Sequence, residues 1–493
     1  MRHLRVLLAW LRRPPYPRLA GFLILVPAVA AAVVLWVLVA RAVPRSWHGE
    51  GDELLGPLNV AYSLQAPSWR LATIAVAVGV ALTGLTFWSD ARLTRRARRS
   101  ADVEHLPLSP RNVMARTRGH YAGEVTVTVV IPAHDEEHRL TATLTALAGQ
   151  SPAPRRVIVV ADNCRDRTID VALSMGAEVT RTVDNVDKKA GALNQVLPAL
   201  LTELGDNDLL LVLDADTVLE PGFLRSTVDR FTADRALMAM CGIFYGEEGG
   251  GLLGQFQRSE YERYARDLRR RRGKVYVLTG TSSVFRPRAL EMVADRRGVT
   301  LPGLPGAIYD TSALTEDNEL TLALKSLGAL MVSPADCRVQ TEVMPDLRSL
   351  WQQRIRWHRG AIENLGAYGL SFATLLYWMQ QLSITYGALA LGSYLGLMAF
   401  TALTAPHWVW FPFWVGVGAV FAVERVVTVW GGGWRARLLA LALLPELLYA
   451  ALLSAIQLAA IAEIALARVA GWGSGVVQRR SGRRLGPCGK ECS

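Results

Sequence analysis

The chain has 493 residues, 51% of them hydrophobic, and a net charge of +11 from 54 Lys and Arg against 43 Asp and Glu; that length accommodates two or three domains. Its mean hydropathy of +0.22 is too high for a wholly water-soluble chain and too low for one lying entirely in lipid, so membrane segments joined to one water-facing domain are implied. The Arg clusters flank apolar segments, which assigns the excess charge to membrane orientation and argues against a nucleic-acid partner.

Gly21 to Ala40 carries no charge over 20 residues, and Leu71 to Ser89 none over 19. At about 1.5 Å per helical residue, each is long enough to cross a hydrocarbon core of about 30 Å. The first follows Arg12, Arg13 and Arg18 and has no clean small-residue cleavage site, so it reads as an uncleaved signal anchor. Arg92, Arg95, Arg96, Arg98 and Arg99 follow the second. Arg-rich flanks on both outer ends place those ends in the cytoplasm. Residues 1–105 are therefore expected to be a membrane region with two spans, and the chain from Arg92 to about Asn364 to face the cytoplasm.

Residues 106–360 alternate strand and helix signals. Glu124–Ile131 is β-branched and ends at Pro132; Val157–Ala161 and Leu209–Leu213 repeat the pattern, with helical stretches at Arg139–Ala148 and Ala190–Leu204. This alternation predicts an α/β domain with a parallel sheet covered on both faces. Ligands bind such sheets beyond the carboxyl ends of the strands. Asp135 and Glu136 follow the first strand, Asp162 the second, Asp214 and Asp216 the third, so one edge of the sheet collects the acids.

Each acidic station also has a plain structural reading. Asp162-Asn163 suits an Asx turn opening a helix, and Asp214-Ala-Asp216-Thr suits helix capping. Carboxylates at alternate positions after an apolar strand nevertheless point the same way, and oxygen ligands so spaced suit a hard divalent cation. Lys188-Lys189-Ala-Gly-Ala-Leu-Asn194 is either a basic helix start or an anion contact; its Gly and Lys spacing is not that of a Walker motif. Glu316 and Asp317 open a helical pattern and fit an ordinary capped first turn. Gln353-Gln-Arg-Ile-Arg-Trp357 also fits a basic interfacial helix. Three of the five cysteines fall in this domain and are expected as reduced thiols; Cys488 and Cys492 are too few for a zinc site.

From Asn364 to Val423 no Asp, Glu, Lys or Arg occurs. The expected division of residues 361–475 is an in-plane piece at about Leu365–Gln381 and spans at about Ser383–Ala405, Trp408–Val429 and Leu438–Ile461. Glu424 and Glu463 read as interfacial groups beside Arg425 and Arg468, while Glu446 reads either way, as an interfacial group or as one lining a polar cavity. Five spans put the carboxyl end outside, yet Arg479, Arg480, Arg483 and Arg484 in the basic tail, residues 476–493, argue for inside. The sequence leaves that conflict open.

In order, Ile131-Pro-Ala-His-Asp-Glu136, Val160-Ala-Asp-Asn-Cys-Arg-Asp166, Lys189-Ala-Gly-Ala-Leu-Asn194, Asp214-Ala-Asp216, Thr315-Glu-Asp317 and Gln353-Gln-Arg-Ile-Arg-Trp357 resemble the motifs of membrane-bound family 2 glycosyltransferases. That group contains the bacterial cellulose, chitin, hyaluronan and poly-N-acetylglucosamine synthases. The resemblance runs from about Val125 to Gly360 and departs from the usual pattern at Asp135, where Asn is commoner, and at Ala161-Asp162-Asn163, where Asp-Asp-Gly is. It implies a GT-A nucleotide-sugar-binding domain inserted between transmembrane helices. It also implies a donor pocket at Pro132, Asp135, Glu136, Asp162, Lys189 and Asp214, with Asp162 reading uracil. Mg²⁺ or Mn²⁺ would sit on Asp216 and Asp214. Asp317 would be the base, with Glu316 beside it, and Gln353, Arg356 and Trp357 would cap diphosphate and acceptor.

The function so implied is inverting sugar transfer from a nucleotide sugar, a UDP-sugar by preference, at a bacterial inner membrane. The acceptor would be a growing β-linked polysaccharide that is exported between the spans. Two alternatives stand beside it: single-sugar transfer to a lipid or membrane-associated acceptor, and a transporter or scaffold with an inactive sugar-binding domain.

Overall fold

The computed structural model describes residues 16–42, 61–62, scattered helical positions between 70 and 99, and residues 100–116, 123–271, 273–404, 409–410 and 412–466. The expected span Leu71–Ser89 and the basic tail lie largely or wholly outside the described residues. Helix α1 (Tyr16–Ala42) covers the first expected span, strand β1 (Ala61–Tyr62) follows, and α2 (Pro110–Arg116) leads into the central domain.

The domain runs β2 (Thr126–Ala133), α3 (Leu140–Ala148), β3 (Arg156–Ala161), α4 (Thr168–Ser174), β4 (Glu178–Arg181), α5 (Lys188–Glu203) and β5 (Asp208–Leu213). It continues with β6 (Val218–Leu219), α6 (Phe223–Ala233), β7 (Leu237–Cys241), β8 (Ile243–Gly246), α7 (Gly251–Arg270), β9 (Ser282–Phe285), α8 (Pro287–Arg296), α9 (Glu316–Ser326), β10 (Leu330–Val332), β11 (Arg338–Thr341) and α10 (Leu347–Tyr368). Seven strands form one sheet in the order β10-β7-β9-β5-β2-β3-β4. The sheet is mixed rather than wholly parallel: β9 pairs antiparallel with both β5 and β7. No single-sequence alternation distinguishes such an inserted strand from a parallel one.

Both faces of the sheet are covered, which is why its strands are apolar throughout rather than alternating. Val130, Ile158, Val160, Leu210 and Val212 pack on one side with α5 and α9; Val129, Ile131, Val159, Leu211 and Leu213 pack on the other with α3 and α6. A second sheet, β6-β11-β8, sits beside the carboxyl end of β5. It carries the chain directly after Asp216 into contact with the strand that ends at Thr341.

After α10 come α11 (Leu375–Thr404), β12 (Val409–Trp410), α12 (Pro412–Thr428), a 3₁₀ turn (Trp430–Gly432), α13 (Gly433–Leu441) and α14 (Leu444–Ala465). Leu375–Phe400 and Leu444–Ala465 are long and apolar enough to cross a membrane, and Trp414–Thr428 with Trp430–Leu441 are so only as a pair bent by 64°. Strands β1 and β12 pair in parallel, Ala61 with Val409 and Tyr62 with Trp410.

Two expected elements are broken. The in-plane piece Leu365–Gln381 is interrupted where α10 stops at Gly369 (φ 67°) and Thr374 binds back to the Gly369 carbonyl at 2.8 Å. The span Leu438–Ile461 is interrupted at Leu443 (φ 53°), immediately before Pro445 starts a new helix. Glu446 is ion-paired. Its carboxylate is buried, accepts from Arg263 Nη1 at 2.9 and 3.1 Å and also lies 3.8 Å from Arg425. Glu424 lies 3.9 Å from Arg425, Glu463 lies 3.4 Å from Arg359, and Arg468 is outside the described residues.

Candidate active site

The carboxyl ends of β2, β3 and β5 open on one rim. Pro132, half-buried in β2, pairs across to Val160. Two residues beyond that strand Asp135 takes φ 55°, and its Oδ1 accepts from the Arg165 amide at 2.7 Å, which pins the loop after β3. Asp162 is buried, and its Oδ1 accepts from Thr182 Oγ1 at 2.8 Å, Asn185 Nδ2 at 2.8 Å and Asn163 Nδ2 at 3.1 Å. Asn185 also donates to the Lys188 carbonyl at 2.8 Å. A Cβ at Gly191 would fall 2.0 Å from Asn185 Oδ1, so only glycine lets the first turn of α5 close on that side chain. These contacts tie the Asp162 pocket to the lysines that open α5.

Asp214 and Asp216 flank the buried Ala215, whose carbonyl accepts from Thr143 Oγ1 at 2.7 Å. Anchoring the middle residue leaves both carboxylates half-exposed on the rim. Lys189 Nζ lies 2.6 Å from Asp214 Oδ1, 3.1 Å from the Gly280 carbonyl and 3.5 Å from Glu316 Oε1. Asp317 Oδ2 accepts from the Gly280 amide at 3.0 Å. A Cβ on Gly280 would lie 3.2 Å from Lys189 Nζ, 3.5 Å from Asp317 Oδ2 and 3.7 Å from Asp214 Oδ2. Gly280 is thus the hub on which three separate chain segments converge, a role no local sequence signal announces.

The charge balance of this rim is negative. Burial, with Asp216 and Glu342 adjacent, pushes the Glu136 carboxyl up to about 7. Burial and Asp216 push Asp214 up to about 6 despite Lys189. Asp216 is raised by burial and by Glu342, while Asp317 is raised to about 6 by burial and the neighbouring Glu316. Burial works against the Lys189 charge, but Asp214 and Glu316 outweigh it and keep the ammonium protonated. Arg139 bonds Glu342 at 2.8 Å and only in part offsets the surplus. Half-exposed hard oxygen donors with excess negative charge fit a divalent cation. Asp135, Cys164 and Asp166 also lie together; there, burial raises the Cys164 thiol and Asp166 caps Thr168 at 3.0 Å, so that group reads as loop structure.

Helix α10 crosses beside α9. A Cβ at Gly360 would lie 2.4 Å from Thr315 Oγ1, and Asn364 Nδ2 donates to the Thr315 carbonyl at 3.2 Å, so α10 rests directly on the residue before Glu316. Arg356 lies near enough to Lys188 that, after burial, it is the second cause of a lysine pKa lowered to about 8. Trp357 stacks on Arg354, whose guanidinium is 4.1 Å from the ring centre and 3.0 Å from Glu260. Gln353 Oε1 is buried without a protein partner. Among the residues singled out from sequence, Lys189, Asp214, Glu316 and Asp317 meet around Gly280, and Glu136 and Asp216 interact electrostatically on the same rim. Arg356 lies near Lys188, the residue before Lys189, while Trp357 and Gln353 have no direct contact with Asp317 or Asp214. Lys188, Arg139, Glu342, Gly280 and Arg354 were not foreseen as site residues; Lys188 alone carried a local signal, the doubled lysine.

Residues 124–360 match the family described as "Glycosyltransferase like family 2". The poly-beta-1,6-N-acetyl-D-glucosamine synthase of Staphylococcus aureus is 22% identical over 245 residues, 48% of this chain and 55% of that protein. "Probable glycosyltransferase YdaM" of Bacillus subtilis is 28% identical over 249 residues, 48% and 54%. The chain spans about half the length of the curated relatives it matches. Among solved structures, a mannosyltransferase from Pyrobaculum calidifontis in complex with GDP-Man and Mn²⁺ is 18% identical, with a TM-score of 0.46 over 80% of this chain and 99% of that one. Glucosyl-3-phosphoglycerate synthase of Mycobacterium tuberculosis with Mn²⁺ and UDP is 17% identical, TM-score 0.33, over 53% and 85%. Residues 124–360 are a glycosyltransferase family 2 domain with a GT-A-like fold, homologous to a polysaccharide synthase.

Proposed function

We propose that the protein is a membrane-embedded, metal-dependent, inverting glycosyltransferase that moves a sugar from a nucleoside-diphosphate donor, UDP-linked by preference, to a growing β-linked polysaccharide. The observation that carries this reading is the convergence of Asp214, Lys189 and Asp317 on Gly280. It sets the acids after β5 against a half-compensated carboxylate at the start of α9. The homologous polysaccharide synthase and the apolar helix α11, long enough to cross a membrane, support a membrane-bound, chain-extending enzyme.

Asp216 and Asp214 would hold Mg²⁺ or Mn²⁺, as Mn²⁺ accompanies the donor or nucleotide in the two solved relatives. Such an ion neutralises charge that grows on a departing diphosphate. Arg356 and Lys188 bring further positive charge to the same leaving group. Lys189 pairs with Asp214 and Glu316, and the Gly280 amide fixes Asp317 Oδ2. Asp317, ionised at neutral pH with a pKa of about 6, takes the proton from the acceptor hydroxyl as its oxygen bonds to the anomeric carbon. The bond from that carbon to the diphosphate oxygen breaks in the same step. A single carboxylate base, with no second acid in a nucleophile's role, gives inversion.

The test is to offer labelled UDP- and GDP-sugars, with Mg²⁺ or Mn²⁺, to membranes containing the protein. Cation-dependent product of high and increasing length is expected, digestible by β-linkage-specific hydrolases. Product that stops at one sugar and extracts into organic solvent overturns chain extension. Donor binding without turnover of any nucleotide sugar overturns the enzyme reading.

A further inference from the structure

Helix α14 has the length and apolarity of a membrane span, yet both its ends are tied to the catalytic domain. At the start, Glu446 accepts from Arg263 of α7 at 2.9 Å, Tyr449 Oη donates to Glu260 of α7 at 2.7 Å, and the Tyr449 ring stacks on Phe256 with centroids 4.9 Å apart. At the end, Glu463 lies 3.4 Å from Arg359 of α10, and Ile461 and Ile464 pack with Leu322, Ile362 and Leu365 of the domain and with Ala20 and Ile24 of α1 and Tyr377 and Trp378 at the start of α11. Leu350, near the start of α10, packs with Phe256 and Tyr449. Helices α10 and α14 therefore run side by side in the same direction along their whole lengths.

Glu446 and Glu463 are 17 positions apart, about 26 Å along a helix. A span would carry one of them across a hydrocarbon core of about 30 Å. Their partners leave no room for that. Arg263 belongs to α7, whose Tyr261 packs edge-on against Phe244 of β8. Arg359 belongs to α10, whose Asn364 and Tyr368 bond Thr315 and Glu319. Both anchors are catalytic-domain residues.

The outer face has one chemistry. The exposed positions of α14 and its cap are Leu444, Leu448, Ala455, Ala462 and Leu466, spaced 4, 7, 7 and 4 residues apart, while Glu446, Tyr449 and Gln457 are buried toward the protein. That stripe is apolar without interruption, while Glu446 and Tyr449 face the catalytic domain and Gln457 bonds Gln381 and Thr385 in the first turns of α11, the reverse of a helix lying on a protein facing water. We infer that α14 does not cross the membrane. It lies in the plane of the cytoplasmic leaflet, clamped at both ends to the catalytic domain, with the Leu444–Leu466 stripe against lipid acyl chains. With α14 in the plane of the leaflet, the five crossings expected from the sequence become four. An even number agrees with the side that the charges of Arg479, Arg480, Arg483 and Arg484 indicate, and the conflict left by five spans disappears.

The inference rests on the membrane reading and on a cytoplasmic catalytic domain, but not on the reaction. Epitope tags inserted singly into the full chain between Gly249 and Gly250, between Ala405 and Pro406, and after Leu466 separate these. In intact spheroplasts, antibody should reach only the Ala405–Pro406 tag, and permeabilisation should expose the other two. Labelling after Leu466 in intact spheroplasts, with the Gly249–Gly250 tag protected, overturns the in-plane placement alone. Protection of the Ala405–Pro406 tag removes α11 as a span and overturns the membrane reading beneath it. Where a tagged chain fails to fold, a single cysteine at Leu466→Cys in a cysteine-free background, probed with an impermeant maleimide, gives the same decision.

Discussion

Helix α9 carries two acids two residues apart in opposite states. Glu319 is complete: Arg297 donates to both its oxygens at 2.6 and 2.7 Å, and Tyr368 Oη adds a third bond at 2.5 Å. Arg297 itself spends its remaining donors on the Pro302, Ala307 and Ile308 carbonyls. Asp317 has two backbone amides, Gly280 and Asn318, and a like charge beside it in Glu316. The first arrangement holds α8, α9 and α10 together. The second keeps a carboxylate away from full compensation, as acids poised for proton transfer require.

Exchanging the two acids for their amides should divide the phenotypes accordingly, and the larger effect belongs to Asp317→Asn. Turnover of labelled donor should fall by about 10²–10⁴, the worth of a positioned general base, with donor binding and melting temperature retained. Near-normal turnover in that variant places the base elsewhere. Glu319→Gln should do the reverse. It leaves a fully buried guanidinium short of its counter-charge, a loss of about 3–5 kcal/mol by analogy with broken buried pairs. Turnover per folded molecule should hardly move. If Glu319→Gln melts normally, the pair is not the strut described here.

Part of this contrast was legible in the chain. Asp162, Asp214 and Asp216 follow apolar strands directly, so their place on one rim follows from strand polarity alone. The pairing of Asp317 with Gly280 was not, because the two are 37 positions apart and Gly280 lies in a run, Thr279-Gly-Thr-Ser-Ser, with no chemistry of its own. Glu342 escaped notice for another reason: it follows β11, whose partner β6 is two residues long, too short to show any alternation. In α14 the apolar residues outnumber Glu446, Tyr449 and Gln457 so heavily that hydropathy reads a span. Only the positions of Arg263 and Arg359 reveal the docked face.

A third variant sharpens the comparison by disturbing the ground under Asp317 without touching it. In Gly360→Ala the new Cβ would meet Thr315 Oγ1 at 2.4 Å and Cγ2 at 2.8 Å, so α10 must lift from the start of α9. Overpacking of this kind costs about 1–3 kcal/mol, and turnover should drop about tenfold as Arg356 moves. Thr315→Ala in the same chain removes both clashing atoms and should restore most of the loss. Failure of the double variant to recover, judged by melting and turnover together, denies the close approach a functional role.

The smallest effect concerns protons rather than side chains. Glu136 is raised from 4.5 to about 7 and Asp214 from 3.8 to about 6. When a folded-state carboxyl pKa exceeds the unfolded one, the fold binds more protons between the two values, so stability falls as pH rises through that window. In cation-free protein the contribution of these two groups should therefore be largest below about pH 4, fall up to about pH 7 and level off above it. Each kcal/mol corresponds to about 2–4 °C in a domain of this size. Mn²⁺ or Mg²⁺ at pH 8 should recover the loss, because a cation compensates the carboxylates that have become charged. Asp216→Asn should abolish that recovery while leaving the Arg297–Glu319 strut intact. A cation response unchanged in Asp216→Asn moves the ion off this rim, and a melting temperature that climbs from pH 5 to 8 without cation shows that the rim acids are not held short of charge.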